Sequence, residues 1–308
     1  MLAVLKLSSF ALTGALICSV GATLLFALHI VSSIRVRSAA VQASPNGTIT
    51  TSARFEPFLV ASPAAAAAAA AYLQRAALVF IFAAIGLRAV VAHRGPYGNM
   101  YEFSLAFGAT VTLAYYVVGR AYPVRALGAL TMGIASAIML YAVSRPADEK
   151  SVDGLIPALQ SKWIAIHVPM AIIAYGFFAV AFVAGAVYLL QERLTSPHLP
   201  SLEVLDEVGY RAVIVGFPLM FAAIVLGGVW AAEAWGGFWT WDPKETAALA
   251  TWLIYAFYIH ARSVRGLRGR GAAAILVLGF AATLFTFFGN YFFTGLHSFI
   301  GPGGKGGA

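Results

Sequence analysis

The sequence predicts an all-α, polytopic integral membrane protein of about eight transmembrane helices, forming a single transmembrane domain over residues 1–308. Three observations predict it. The chain is 61% hydrophobic and only 10% charged, whereas a soluble domain is about half apolar and about a quarter charged. Eight long apolar runs follow one another along it. Its net charge of +8 is carried largely by arginines in short segments between those runs, which is the pattern of membrane topology rather than of a nucleic-acid partner.

The runs span about 10–34, 63–92, 101–118, 124–143, 163–190, 211–231, 247–263 and 271–293. Most reach the roughly 20 residues that a helix needs to cross a bilayer. The first is too long for the apolar part of a signal peptide, and no small-residue cleavage site follows it. It holds the single cysteine, Cys18, so no disulfide, thiol pair or CxxCH attachment site forms within the chain. Cys18 reads as a small hydrophobe facing lipid or a neighbouring helix. The second run opens with "SPAAAAAAAA", with Ser62 as N-cap and Pro63 at the first helical position. The seventh opens with "WDPKET". Here Asp242 is the N-cap, Pro243 takes the first position and Glu245 closes a capping box. "ARSVRGLRGR" carries Arg262, Arg265, Arg268 and Arg270 with no acid and is expected in the cytoplasm. Alternation then puts 35–62, 119–123 and 191–210 inside as well. The N-terminus, 93–100, 144–162, the tryptophan-rich loop at 230–246 and the tail fall outside. Residues 301–308, "GPGGKGGA", read as a disordered tail.

"WAAEAWGGFWTWDPKET", Trp230 to Thr246, holds four of the six tryptophans. An interfacial aromatic belt accounts for Trp230 and Trp252 as well as a ligand site does. It accounts poorly for Trp235, Trp239 and Trp241, because Gly236 and Gly237 free the backbone between them. A glycine-punctuated aromatic surface suits a large, flat, apolar ligand.

Two of the six histidines sharpen this. His167 stands just inside the outer end of the fifth run, and His297 just beyond the outer end of the eighth. Both fall on the side of the tryptophan loop. Each alone reads most simply as a hydrogen-bonded interfacial histidine. Together with the tryptophans they suit the two faces of a haem, for which imidazole is a common axial ligand. His260 lies 18 residues past Asp242, roughly 27 Å along a helix, so it belongs to a different, inner site. His29 sits at the inner end of the first run and reads as interfacial. His93 and His198 read as solvated loop residues. Arg88, Arg94 and Lys244 are the outer-side cations available to haem propionates, with Arg88 also suited to snorkelling.

At these residues the chain resembles a known family. "AWGGFWTWDPKET" is similar to the WWD signature of the haem-handling proteins of cytochrome c maturation. Length and helix number resemble the CcsA (ResC) branch rather than CcmC or CcmF. "RGPYGNMYEFSLAF", "WLIYAFYIHAR" and "GLHSF" agree with that branch, from about residue 72 onward. Glu233 departs from the pattern, standing where a neutral residue is expected.

The resemblance implies a multi-pass protein of the bacterial cytoplasmic (inner) membrane. With a CcsB/ResB-type membrane subunit it would take haem b at an inner site and present it non-covalently on the outer side. Its partners would be haem, membrane lipid and apocytochrome c, whose CxxCH thiols add across the haem vinyls. The complex would be a holocytochrome c synthase (haem lyase). The resemblance makes His167 and His297 axial ligands of the outer haem iron. His260 becomes one ligand of the inner haem, its trans ligand coming from the partner. Trp235, Trp239, Trp241 and Asp242 shape the presenting platform. Two other classes are compatible with the residues. One is a dihaem electron-transfer protein pairing His29 with His260. The other is a haem-free transporter or structural subunit with a tryptophan belt.

Overall fold

The computed structural model describes residues 1–41, 62–152, 155–293 and 295–297. Among these, eight α-helices and no strand form. They are α1 Leu2–Val41, α2 Pro63–Ala92, α3 Met100–Ala121, α4 Gly128–Ser144, α5 Ile164–Leu194, α6 Leu202–Trp235, α7 Pro243–Arg265 and α8 Arg270–Phe288. The expected tail at 301–308 lies outside the described residues.

The local signals work as expected at two starts. Ser62 accepts from the Ala65 amide with Pro63 in the first turn. Asp242 and Glu245 close a full capping box around Pro243, satisfying amides that a helix start leaves open.

Three boundaries differ from the sequence reading. α6 begins at Leu202, capped by Ser201, so much of the expected 191–210 loop is helix. Its extra turns are tied down at Asp206, which pairs with Arg262 at 2.6 Å. At its other end α6 runs through Trp235 and stops at Gly236, whose φ of 78° is left-handed. The tryptophan loop proper is therefore only 236–242. α8 ends at Phe288, and a short 3₁₀ turn, Gly289–Tyr291, follows; Gly289 and Asn290 are weak helix formers.

Among the described residues seven helices are long and apolar enough to cross a membrane; α7 is not among them. At 23 residues it reaches about 34 Å, which matches a bilayer, but its interior spends polar residues: Thr251, Tyr255, Tyr258 and His260.

α5 is the most buried of the seven spans and forms the axis of the bundle, packing on α3, α6 and α8. Small residues let neighbours approach it. A Cβ at Gly176 would sit 2.6 Å from the Thr110 carbonyl, and one at Gly185 would sit 2.8 Å from that of Ala273. Close backbone approach of this kind replaces the hydrophobic drive that lipid does not supply. α1 and α2 pair along one side, with α4 against α1, and α7 pairs with α8 on the other.

Between α2 and α3 a buried charge cluster closes the corner. Glu102 is fully buried and pairs with both Arg88, at 2.6 Å, and Arg94. It also accepts from the Gly98 amide at 2.7 Å. Arg88 reaches on to the Ser151 carbonyl at 2.6 Å and lies over the Tyr101 ring.

Candidate functional site

A cavity opens at the end of the bundle where α6 gives way to α7. It encloses about 950 Å³ of empty space, open mouth included, and its lining is mostly apolar. It is a narrow slot. His167 from α5 and His297 from beyond α8 both line it, together with Trp230, Trp239 and Lys244.

Each histidine is held by the same nitrogen. His167 Nδ1 meets the Ala223 carbonyl of α6 at 2.6 Å. A carbonyl only accepts, so Nδ1 carries the proton and Nε2 holds a lone pair. His297 Nδ1 meets Asp242 Oδ1 at 2.9 Å. Burial pushes the His297 imidazole below its usual pKa range, with the Asp242 carboxylate pulling the other way. A carboxylate also only accepts, so Nδ1–H donates to Asp242 and Nε2 is likewise free. Among the described residues neither Nε2 has a hydrogen-bond partner. This is the arrangement of metal-binding histidines, whose second nitrogen is fixed on a carbonyl or carboxylate.

Asp242 organises the mouth. Its Oδ1 also accepts from the Lys244 amide at 2.9 Å, and its Oδ2 accepts from the Leu296 amide at 2.6 Å. Burial raises its pKa, but the hydrogen bond and charge of His297 and the two amides outweigh this and hold it at about 2. Glu245 is spent on the cap, accepting from the amides of Thr240 and Asp242.

The tryptophans divide into inner and outer sets. Trp230 is 2% exposed and donates through Nε1 to the Ala158 carbonyl at 2.7 Å. Its ring lies nearly parallel to His167 at 6.2 Å and edge-on to His297 at 5.5 Å. Trp235 meets both Trp230 and His297 edge-on, at 4.6 and 4.9 Å. Trp239 lines the cavity, while Trp241, 69% exposed, stands outside it and edge-on to Trp239. Its φ of 58° is a conformation that costs an ordinary residue about 1 kcal/mol or more.

Sequence reasoning left Trp230 undecided and gave Asp242 no link to His297. The clue to the first was Trp230's place five residues before Trp235, both on one helix. The second depends on α8 returning the chain to the start of α7, which spacing does not show.

Of the cations expected to serve a ligand's acids, Arg88 and Arg94 are consumed by Glu102. Lys244 is half-buried in the cavity wall, over the Phe103 ring. It forms no ion pair among the described residues. Glu233 is exposed and away from the cavity. His260 lies far along α7 on an exposed face. His29, read as interfacial, lines a separate cavity beside His198, and His260 is not part of its lining.

The cavity fits haem by its donor set. Among the described residues no three His, Cys, Asp or Glu gather as a bare ion would need. Two imidazoles lining one cavity would suffice where a macrocycle supplies the other four donors.

The fold and site define a polytopic membrane protein with paired, pre-oriented imidazoles in an aromatic slot. The chain belongs to the cytochrome c assembly protein family, whose model matches residues 97–297. It is similar to proteins named "Cytochrome c biogenesis protein CcsA". That of Microcystis aeruginosa is 34% identical over 275 residues, covering 71% of this chain and 83% of the relative. That of Synechocystis sp. is 31% identical over 282 residues, covering 71% and 84%. That of Trieres chinensis is 32% identical over 258 residues, covering 72% and 83%.

Proposed function

We propose that this protein, working in cytochrome c biogenesis, holds haem b in the aromatic slot and presents it to apocytochrome c on the outer side of the membrane. The observation that carries the reading is the matched state of His167 and His297. Each is tied through Nδ1 and each offers a free Nε2 to one cavity. When bound, haem supplies the vinyl groups to which the client's CxxCH thiols add, so the bond chemistry belongs to cofactor and client.

The chain's own residues do the rest. His167 and His297 would hold the haem iron through their free Nε2 atoms and so keep small ligands off it. Trp230, Trp235 and Trp239 keep water from the macrocycle. Asp242 holds His297 in the ligating tautomer and raises its basicity. Lys244 offers its ammonium to a propionate. Trp241 forms the outward rim that a client peptide meets. At the other end, the exposed His260 suits an inner haem whose second ligand comes from a CcsB/ResB-type subunit.

The test is the visible spectrum of the detergent-purified protein, co-expressed with that subunit, before and after dithionite. A low-spin reduced spectrum that weakens or becomes oxidation-prone in His297→Ala and His167→Ala is expected. An intact complex without haem in any sample overturns the reading.

A further inference from the structure

A second cavity opens at the end of the bundle away from the tryptophan loop. His29 of α1, Arg120 of α3, Arg125 of the α3–α4 connection and His198 of the α5–α6 connection line it, with Tyr122 and Pro200. It is wide, about 1040 Å³ with its mouth, and none of the described lining residues is acidic. Neither arginine forms an ion pair among the described residues. Arg120 meets the Tyr116 hydroxyl at 3.3 Å and lies over the same ring. His29 is anchored through Nδ1 to the Pro63 carbonyl at 2.8 Å. Four basic side chains from four segments thus converge with no counter-charge among the described residues.

The place of the cavity narrows what would neutralise it. Its lining comes from the ends of the spans Leu2–Ser33, Met100–Ala121 and Arg125–Ser144 and from the connection after Ile164–Leu194. It therefore lies where helices leave the hydrocarbon and lipid headgroups begin. The same helices expose apolar side chains nearby, Leu24 and Leu28 on α1 and Val117 on α3, against which acyl chains pack. Basic cavities between helices at this depth recognise anionic headgroups, and guanidinium matches phosphate oxygens in pairs.

We propose that this cavity seats the phosphate headgroup of an anionic phospholipid, with Arg120 and Arg125 as its principal contacts. The site stands apart from the haem reading and does not depend on it.

The experiment measures lipid binding to the full-length purified protein by native mass spectrometry and by thermal shift. It compares phosphatidylglycerol, phosphatidylcholine and inorganic phosphate. Phosphatidylglycerol is expected to bind in preference to phosphatidylcholine and to raise the melting temperature, while inorganic phosphate leaves it unchanged. The double variant Arg120→Gln/Arg125→Gln is expected to lose roughly 30-fold in affinity. The control Arg265→Gln/Arg268→Gln removes the same charge at the same end, outside the cavity, and is expected to keep it. Arg125→Gln alone serves if the double variant melts low. Equal losses in both double variants, no preference over phosphatidylcholine, or an equal effect of inorganic phosphate would each overturn the proposal.

Discussion

Asp242 and His297, 55 residues apart in the chain, meet at 2.9 Å. One carboxylate thereby caps α7, fixes the segment after α8 through the Leu296 amide and sets the tautomer of an imidazole. Asp242→Asn keeps a good N-cap but replaces a charged acceptor with a neutral one. Haem affinity is expected to fall roughly 10- to 100-fold, and the melting temperature of the haem-free protein at neutral pH is expected to fall with it, because Asn offers only one acceptor oxygen where Oδ1 and Oδ2 both accept. A haem titration beside a thermal melt measures both.

The depressed pKa of Asp242 carries a sign. A carboxyl lowered in the folded state contributes stability that is complete above its ordinary value, 3.8, and is lost as pH falls toward about 2. Melting temperature of the haem-free protein is expected to show no Asp242-dependent loss between pH 7 and pH 4. Below that, wild type falls more steeply than Asp242→Asn. Parallel acid limbs would refute the assignment.

Gly227 leaves room for His167. A Cβ there would lie 2.8 Å from His167 Cε1, so Gly227→Ala must turn the ring. Loss of low-spin character in the haem spectrum is expected. Gly86→Ala, with nothing within 4 Å of its added Cβ, is expected to leave the spectrum untouched.

Glu102 balances two buried guanidinium groups. Glu102→Gln leaves them uncompensated, which costs about 3–5 kcal/mol. A marked drop in melting temperature, independent of haem, is the expected result.

Lys244 is expected to distinguish free acids from esters. Wild type should bind ferric protoporphyrin more tightly than its dimethyl ester by roughly tenfold or more, the worth of one charge-assisted hydrogen bond. Lys244→Met should erase the difference. Equal affinities in wild type would remove Lys244 from the site.

Much of this was readable before any coordinates. Long apolar runs located eight helices because lipid forces backbone groups to pair within a segment. The caps at Ser62 and Asp242 were legible because they depend on neighbours within four residues. His167 and His297 were placed at one end by counting spans. What escaped depends on contacts between distant segments. Glu102 takes Arg88 and Arg94 away from any ligand only once α2 and α3 fold together. Trp241 turns outward because of one backbone angle, which no periodicity reports. His29 and His198 share a cavity that brings together segments more than 160 residues apart.

With Arg88 and Arg94 already neutralised, Lys244 is the one lysine or arginine among the described residues lining the slot. The cavity therefore has a single positive corner in an apolar frame. On the proposed reading, a flat guest with two acids along one edge would settle one of them at that corner. The lysine would then act as a locating pin, deciding which edge of a nearly symmetrical disc is turned toward the visitor.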